Sequence, residues 1–269
     1  MSTTIGLSTY SFFWQWHAET VAEPITLTGM IDKTAALGAT LLQICDYPLI
    51  ESYTDEELRI LKAYGDSKGV TFELGTRGVT PEHLALYLRL AQALDVTLVR
   101  SMLYTATSRP TASEAEQMLK DAVVGYEAVG VTLALETYEQ VSSSVLVDIV
   151  TAVGSPNLGI CLDPANCVAA LEHPADVVRR TAPLVKNIHV KDFSFSRRDG
   201  WVGFTLASCP LGEGQLDYHG MIAAVGPAEK NINQIIEHWV PWQGDSATTI
   251  ALEDAWTSKN LETLRSYAK

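Results

Sequence analysis

One pattern recurs along this chain and restricts its fold more than any other feature: a short apolar run followed by an amphipathic stretch, eight times over. The runs are TIGLSTY near residue 5, ATLLQICDY near 40, VTFELG near 71, TLVRSML near 98, VTLALE near 131, LGICLD near 158, VKNIHVKD near 186 and INQIIEHW near 232. They are continuously apolar rather than alternating, as expected of parallel strands covered by helices outside and packed side chains within. The intervening segments read as helices, for example TDEELRILKAYGDSKG, PEHLALYLRLAQALD and SEAEQMLKDAVVGYEAVG, with acidic residues or Pro at the start and Gly near the end. Strand then helix, eight times, predicts an α/β fold: a single (β/α)8 TIM barrel over residues 1–269. The competing arrangement is an open doubly wound sheet, but no Gly-rich dinucleotide fingerprint follows the first run.

Composition narrows the function. The net charge of −13 argues against nucleic acid or an anionic membrane surface as a partner, because phosphate binding draws on clustered Lys and Arg. No apolar stretch approaches the roughly 20 residues of a membrane span, and the start, MSTTIGLSTY, lacks a secretory pattern. A cytoplasmic location is the default expectation. Cys45, Cys161, Cys167 and Cys209 form no CxxC pair and read as free thiols.

In a barrel of this kind the polar residues that end each strand face the mouth where the chemistry is done. Glu136 ends the fifth run, Asp163 ends the sixth, His189 lies in the seventh and Glu237 in the eighth. Isolated carboxylates in a partly desolvated cavity are costly, and four adjacent groups of this kind call for a cation. Three carboxylates and one imidazole favour Mn²⁺, Mg²⁺ or Co²⁺, with Zn²⁺ or Fe²⁺ also compatible. The alternative is that each has a local partner, for instance Glu136 with an arginine of the next strand. Glu253, in IALEDAW, is a rival fourth ligand, yet its surroundings read as helix, which favours Glu237.

The segments LETYE, CLDPAN, NIHVKDF, LGEGQLDY and INQIIEHW, in that order, resemble the signatures of the xylose-isomerase-like sugar isomerase and epimerase superfamily over the whole chain. The resemblance implies that Glu136, Asp163, His189 and Glu237 bind one divalent ion. A metal holding a substrate carbonyl and its neighbouring hydroxyl would acidify the adjacent C–H bond by stabilising an enediolate, with Glu136 and Glu237 as the acid and base pair. The position of proton return then decides among epimerisation, isomerisation and, with loss of a β-hydroxyl, dehydration of a keto-cyclitol or dehydroshikimate-like substrate. Two features depart from the ketose 3-epimerases: Asn166 stands where a substrate-binding His is expected and Phe195 where an Arg is expected, with Arg197 or Arg198 as nearby substitutes.

Further substrate contacts are expected from Lys191, two residues beyond His189 on the same strand face, and from Asp46, Glu73, Arg77 and Arg100 at or beyond strand ends, where ion pairing among them is the alternative. The loop STYSFFWQWH offers Tyr10, Phe13, Trp14, Trp16 and His17 as aromatic cover for a sugar ring or as an oligomer contact. Residues 193–230, which include Trp201, form the longest connection and suit a lid or a subunit interface. The expected partner is a small sugar or sugar-derived substrate, with a homo-oligomer possible. A non-catalytic sugar sensor and a phosphodiesterase-type nuclease are weaker rivals, the latter for want of mouth histidines and basic surface.

Overall fold

The computed structural model describes every residue except 1, 2, 18, 20, 199, 201, 268 and 269. Eight parallel strands close a barrel in the order β1, β2, β3, β4, β5, β6, β7, β10 and back to β1. They are β1 (Ile5–Ser8), β2 (Leu41–Cys45), β3 (Thr71–Arg77), β4 (Leu98–Met102), β5 (Thr132–Glu136), β6 (Leu158–Leu162), β7 (Val185–Val190) and β10 (Asn233–Ile236). Each falls within one of the eight apolar runs except β3, which begins in VTFELG and continues two residues past it. An antiparallel hairpin, β8 (Phe193–Arg197) and β9 (Phe204–Ser208), interrupts the alternation after β7.

Helices α1 (Phe13–Trp16), α2 (Leu27–Ala36), α3 (Asp55–Lys68), α4 (Pro81–Leu94), α5 (Ala112–Val129) and α6 (Ser143–Val153) follow the first five strands. The remainder are α7 (Pro164–Cys167), α8 (Pro174–Thr181), α9 (Tyr218–Val225), α10 (Pro227–Lys230) and α11 (Ser246–Tyr267). Local sequence sets their ends. Thr54 with Glu57, and Thr111 with Glu114, form capping boxes that satisfy the first amides of α3 and α5. Gly69 and Gly130 stop the same helices in the left-handed conformation that a Cβ disfavours.

The main core lies between strands and helices, where Leu42, Leu74, Leu84, Leu119, Leu133 and Ile188 are almost wholly buried. Inside the barrel the packing is partly polar. Gln43, Glu73 and Asn187 are buried there and hydrogen-bond to one another across the strands. This polar layer lies beneath the C-terminal ends of the strands and supports what is built on them. Among the described residues no helix is long and apolar enough to cross a membrane.

Candidate metal centre

Strand geometry carries four distant residues to one point. Glu136 is the last residue of β5, Asp163 follows β6 and caps α7 by accepting from Asn166 N, and His189 is the fifth residue of β7. Glu237 follows β10, and its backbone N–H donates to Val190 O, which extends the β7 ladder by one step. One ligand atom from each lies within 4.8 Å of all the others, and all four residues are buried. His189 Nδ1 is 3.5 Å from Glu237 Oε2, 3.7 Å from Glu136 Oε1 and 3.9 Å from Asp163 Oδ2.

These separations are too long for hydrogen bonds but suit atoms sharing one ion at bonds of about 2.1 Å. His189 Nδ1 is buried and makes no hydrogen bond among the described residues, a costly condition that a cation at the centre would relieve. The group could therefore hold a metal ion.

The surrounding charges are closely packed. Arg100 Nε contacts Glu136 Oε2, and Arg100 Nη1 donates to Asp46 Oδ1 at 3.1 Å and Thr76 O at 2.9 Å. Lys191 Nζ lies 2.7 Å from Asp163 Oδ2 and 3.0 Å from Glu237 Oε2, and 4.1 Å from the centroid of the Trp239 ring. Burial raises all three carboxyl groups of the centre. For Glu136 the Arg100 guanidinium, His189 and Lys191 together outweigh burial and bring the value down to about 2, and His189 and Lys191 together hold Glu237 low. Asp163 stays raised, since burial and the repulsion of Glu136 exceed the pull of Lys191. Burial opposes charge on His189, yet Cys161 and the carboxylates of Glu237 and Glu136 overcome it and favour the cation. The centre as a whole demands positive charge.

A cavity of about 120 Å³ opens above the group, lined by Tyr10, Arg77, Arg100, Met102, Glu136, Glu139, Gln140, Asn166, Lys191, Glu237 and Trp239. Asn166 bridges it, donating to Glu136 Oε1 at 2.7 Å and accepting from Lys191 at 3.2 Å. Asp46 holds φ = 49° at the end of β2. Its carboxylate is occupied by Arg77, Arg100 and the Tyr10 hydroxyl, so here the ion-pair alternative describes it. A larger apolar groove of about 480 Å³ between α8 and α9 contains none of these residues.

Three expected contacts are placed elsewhere. Glu73 is the third of seven residues in β3, so it lies in the polar layer below the mouth rather than at the strand end; Arg77 occupies that end. Trp14 lines a neighbouring apolar pocket with Phe13, His238 and Val240 that adjoins the mouth through Tyr10 and Trp239. His17 packs on Phe13, with ring centroids 3.8 Å apart, and does not line the mouth. Glu253 sits on α11 and accepts from Trp14 N and Gln15 Nε2, outside the four-residue group. The segment expected as a lid carries the hairpin, in which Phe195 is half exposed and the Arg197 guanidinium covers Phe204; Trp201 lies outside the described residues. Trp239, Met102 and Gln140 were not singled out from the sequence, and their type alone gives no sign that they face a cavity.

A closed parallel barrel with an acid and imidazole group at the C-terminal ends of β5, β6, β7 and β10 defines a (β/α)8 barrel whose mouth could hold a metal ion. The xylose isomerase-like TIM barrel family model matches residues 31–267, and the chain belongs to that family. It is 48% identical over 260 residues to the 3-oxo-isoapionate decarboxylase of Pectobacterium atrosepticum, covering 97% of this chain and 94% of that protein. It also resembles the D-psicose 3-epimerase of Clostridium cellulolyticum H10, solved with D-tagatose, at TM-score 0.74 and 18% identity over 98% of each chain. A xylose isomerase-like barrel from Mycobacterium smegmatis in complex with magnesium aligns at TM-score 0.70 and 15% identity over 97% of each chain.

Proposed function

We propose that this protein is a divalent-metal-dependent enzyme that decarboxylates a 3-oxo sugar acid. The observation that carries the reading is the network of cations packed among the acidic groups at the mouth. Arg77 and Arg100 pair with Asp46 and Glu136, Lys191 pairs with Asp163 and Glu237, and the Asn166 amide joins the two sets between Glu136 and Lys191. With His189 neutral, as a metal ligand must be, these three positive charges against four negative ones leave a deficit of one; a divalent ion would turn it into a surplus of one, which a singly charged carboxylate substrate matches. The full-length likeness to a 3-oxo acid decarboxylase supports the same substrate class.

When bound, Mg²⁺, Mn²⁺ or Co²⁺ on Glu136, Asp163, His189 and Glu237 supplies a Lewis acid that stabilises an enolate oxygen. In a 3-oxo acid the bond between the carboxylate and the α-carbon breaks, its electrons pass into the enolate, CO₂ leaves, and the α-carbon then takes one proton. Lys191 and Arg77 orient the departing carboxylate from the mouth side, and Trp239, packed under Lys191, limits the access of water. Asn166, held by Glu136 and Lys191, offers its amide edge to a substrate hydroxyl.

A second reading, sugar isomerase or epimerase, is favoured by the placement of Glu136 and Glu237 at 3.7 Å and 3.5 Å from His189 Nδ1. Two carboxylates so arranged can serve as base and acid at one carbon. One experiment separates the two. The Mn²⁺-loaded protein is incubated in D₂O with a panel of 3-oxo sugar acids, ketoses and aldoses, and CO₂ and deuterium incorporation are followed together. Decarboxylation predicts CO₂ with one deuterium at the former α-carbon; deuterated isomers without CO₂ would replace it with the second reading.

A further inference from the structure

The polar layer beneath the acid group reaches the metal centre through a hydrogen bond to the far nitrogen of His189. Glu73 accepts from Gln43 Nε2 at 3.1 Å, from Asn187 Nδ2 at 3.0 Å and from Asn233 Nδ2 at 2.7 Å. Asn187 Oδ1 faces Gln43 Nε2 as well, at 3.3 Å. Both acceptors stand on the same side of the Gln43 amide, so its NH₂ end is fixed toward them. Its carbonyl Oε1 consequently faces His189 Nε2 at 2.9 Å.

A carbonyl oxygen only accepts, so His189 Nε2 must carry the hydrogen. In the neutral ring Nδ1 then presents its lone pair, and it is Nδ1 that faces Glu136, Asp163 and Glu237. With the amide turned over, NH₂ would meet Nε2, the hydrogen would sit on Nδ1, and an N–H bond would point at the ion.

We propose that Gln43, its amide held by Glu73 and Asn187, is a positioning residue that sets His189 in the Nε2–H tautomer and so readies Nδ1 for a divalent metal ion. The inference rests on the metal reading of the four-residue group and deepens it: metal affinity is set partly from the barrel floor, by groups that touch neither ion nor substrate.

The test is Mn²⁺ binding by calorimetry, together with the visible spectrum of the Co²⁺ form. Gln43→Met removes the acceptor at similar volume. The paired exchange of Gln43→Glu with Glu73→Gln reverses both partners, leaving a carboxylate to accept from His189 and an amide at 73 to donate to it. Gln43→Met is expected to weaken Mn²⁺ binding 10- to 100-fold, on the order seen for outer partners of metal-bound His, and to alter the Co²⁺ bands, while the paired exchange stays within about threefold of wild type. The melting temperature of each metal-free protein separates loss of fold from loss of a ligand. Unchanged Mn²⁺ affinity in Gln43→Met, or a folded paired exchange that binds no Mn²⁺, would overturn the role of Gln43. A wild-type protein that binds no Mn²⁺ would instead overturn the metal reading beneath it.

Discussion

On the proposed metal reading, replacing one carboxylate of the centre would remove a ligand and leave its counter-ion, Arg100 or Lys191, facing a weakened acidic group. Glu136→Gln and Glu237→Gln are each expected to lower turnover by at least about 100-fold and to weaken Mn²⁺ binding, while Glu253→Gln keeps turnover within about twofold. Equal losses in all three would reinstate Glu253 as a ligand. Glu253 has a different property: burial pushes its carboxyl up to about 7, against the donors Trp14 N and Gln15. The native state therefore keeps a proton that the unfolded chain loses from about pH 4.5 upward, so this group's contribution is full at low pH and fades as pH rises through 7. Glu253→Gln cannot titrate, and its stability relative to wild type should improve by roughly 2 kcal/mol between pH 5 and pH 8, read from urea midpoints. A constant difference between the two proteins would refute the raised carboxyl. The four acid-group residues were visible in the sequence because an ionisable group interrupting an apolar run needs an explanation. Gln43 interrupts ATLLQICDY in the same way but carries no charge, and nothing local reveals that its partner is Glu73 thirty residues away. Glu73 was misplaced because β3 extends four residues beyond it.

Elements were legible where burial imposes a pattern. All eight barrel strands and the long helices α3, α4 and α5 coincide with runs whose apolar spacing is dictated by the core. The hairpin was not, because β8 and β9 bury little: Phe195 is 48% exposed and Phe204 64%, so no burial period marks them as strands. The segment LGEGQLDY was noticed only for its likeness to a family, and the structure gives it a physical role. Asp192 accepts from the backbone N–H groups of Phe193, Gly212, Gly214 and Leu216, so its carboxylate pins the loop that leads into α9 to the end of β7. A Cβ on Gly214 would come within 2.1 Å of Asp192 Oδ1 and 2.4 Å of Phe193 O, and the second of these is backbone that cannot turn aside. Gly214→Ala should therefore cost about 2–4 kcal/mol, whereas Glu213→Ala, which removes only the exposed pair with Lys259, should cost under about 0.5 kcal/mol. Thermal melts of the two variants decide it. Equal stabilities would mean that the loop yields and that Asp192 does not anchor it.

At the scale of the whole molecule, the closed barrel must hold three buried carboxylates and an imidazole at one end while the chain carries a net charge of −13. Arg100 and Lys191 compensate part of this charge by direct ion pairs, and the apolar shell between strands and helices is continuous without any contribution from the centre. The metal-free chain should accordingly keep its fold, with an unchanged far-UV circular dichroism spectrum after chelation. Stability should fall nonetheless, because a ligand that binds only the native state adds RT ln(1 + [M]/Kd), about 2.7 kcal/mol at a hundredfold excess over Kd. For a domain of this size that corresponds to a rise in melting temperature of about 5–10 °C when Mn²⁺ is restored after EDTA. The rise should grow with the logarithm of Mn²⁺ concentration and disappear in Asp163→Asn, which removes a ligand oxygen charge at the centre. A melting temperature indifferent to Mn²⁺ in the wild-type protein would mean that Glu136, Asp163, His189 and Glu237 are held together by Arg100 and Lys191 alone, as a buried ion-pair network with no cation to bind.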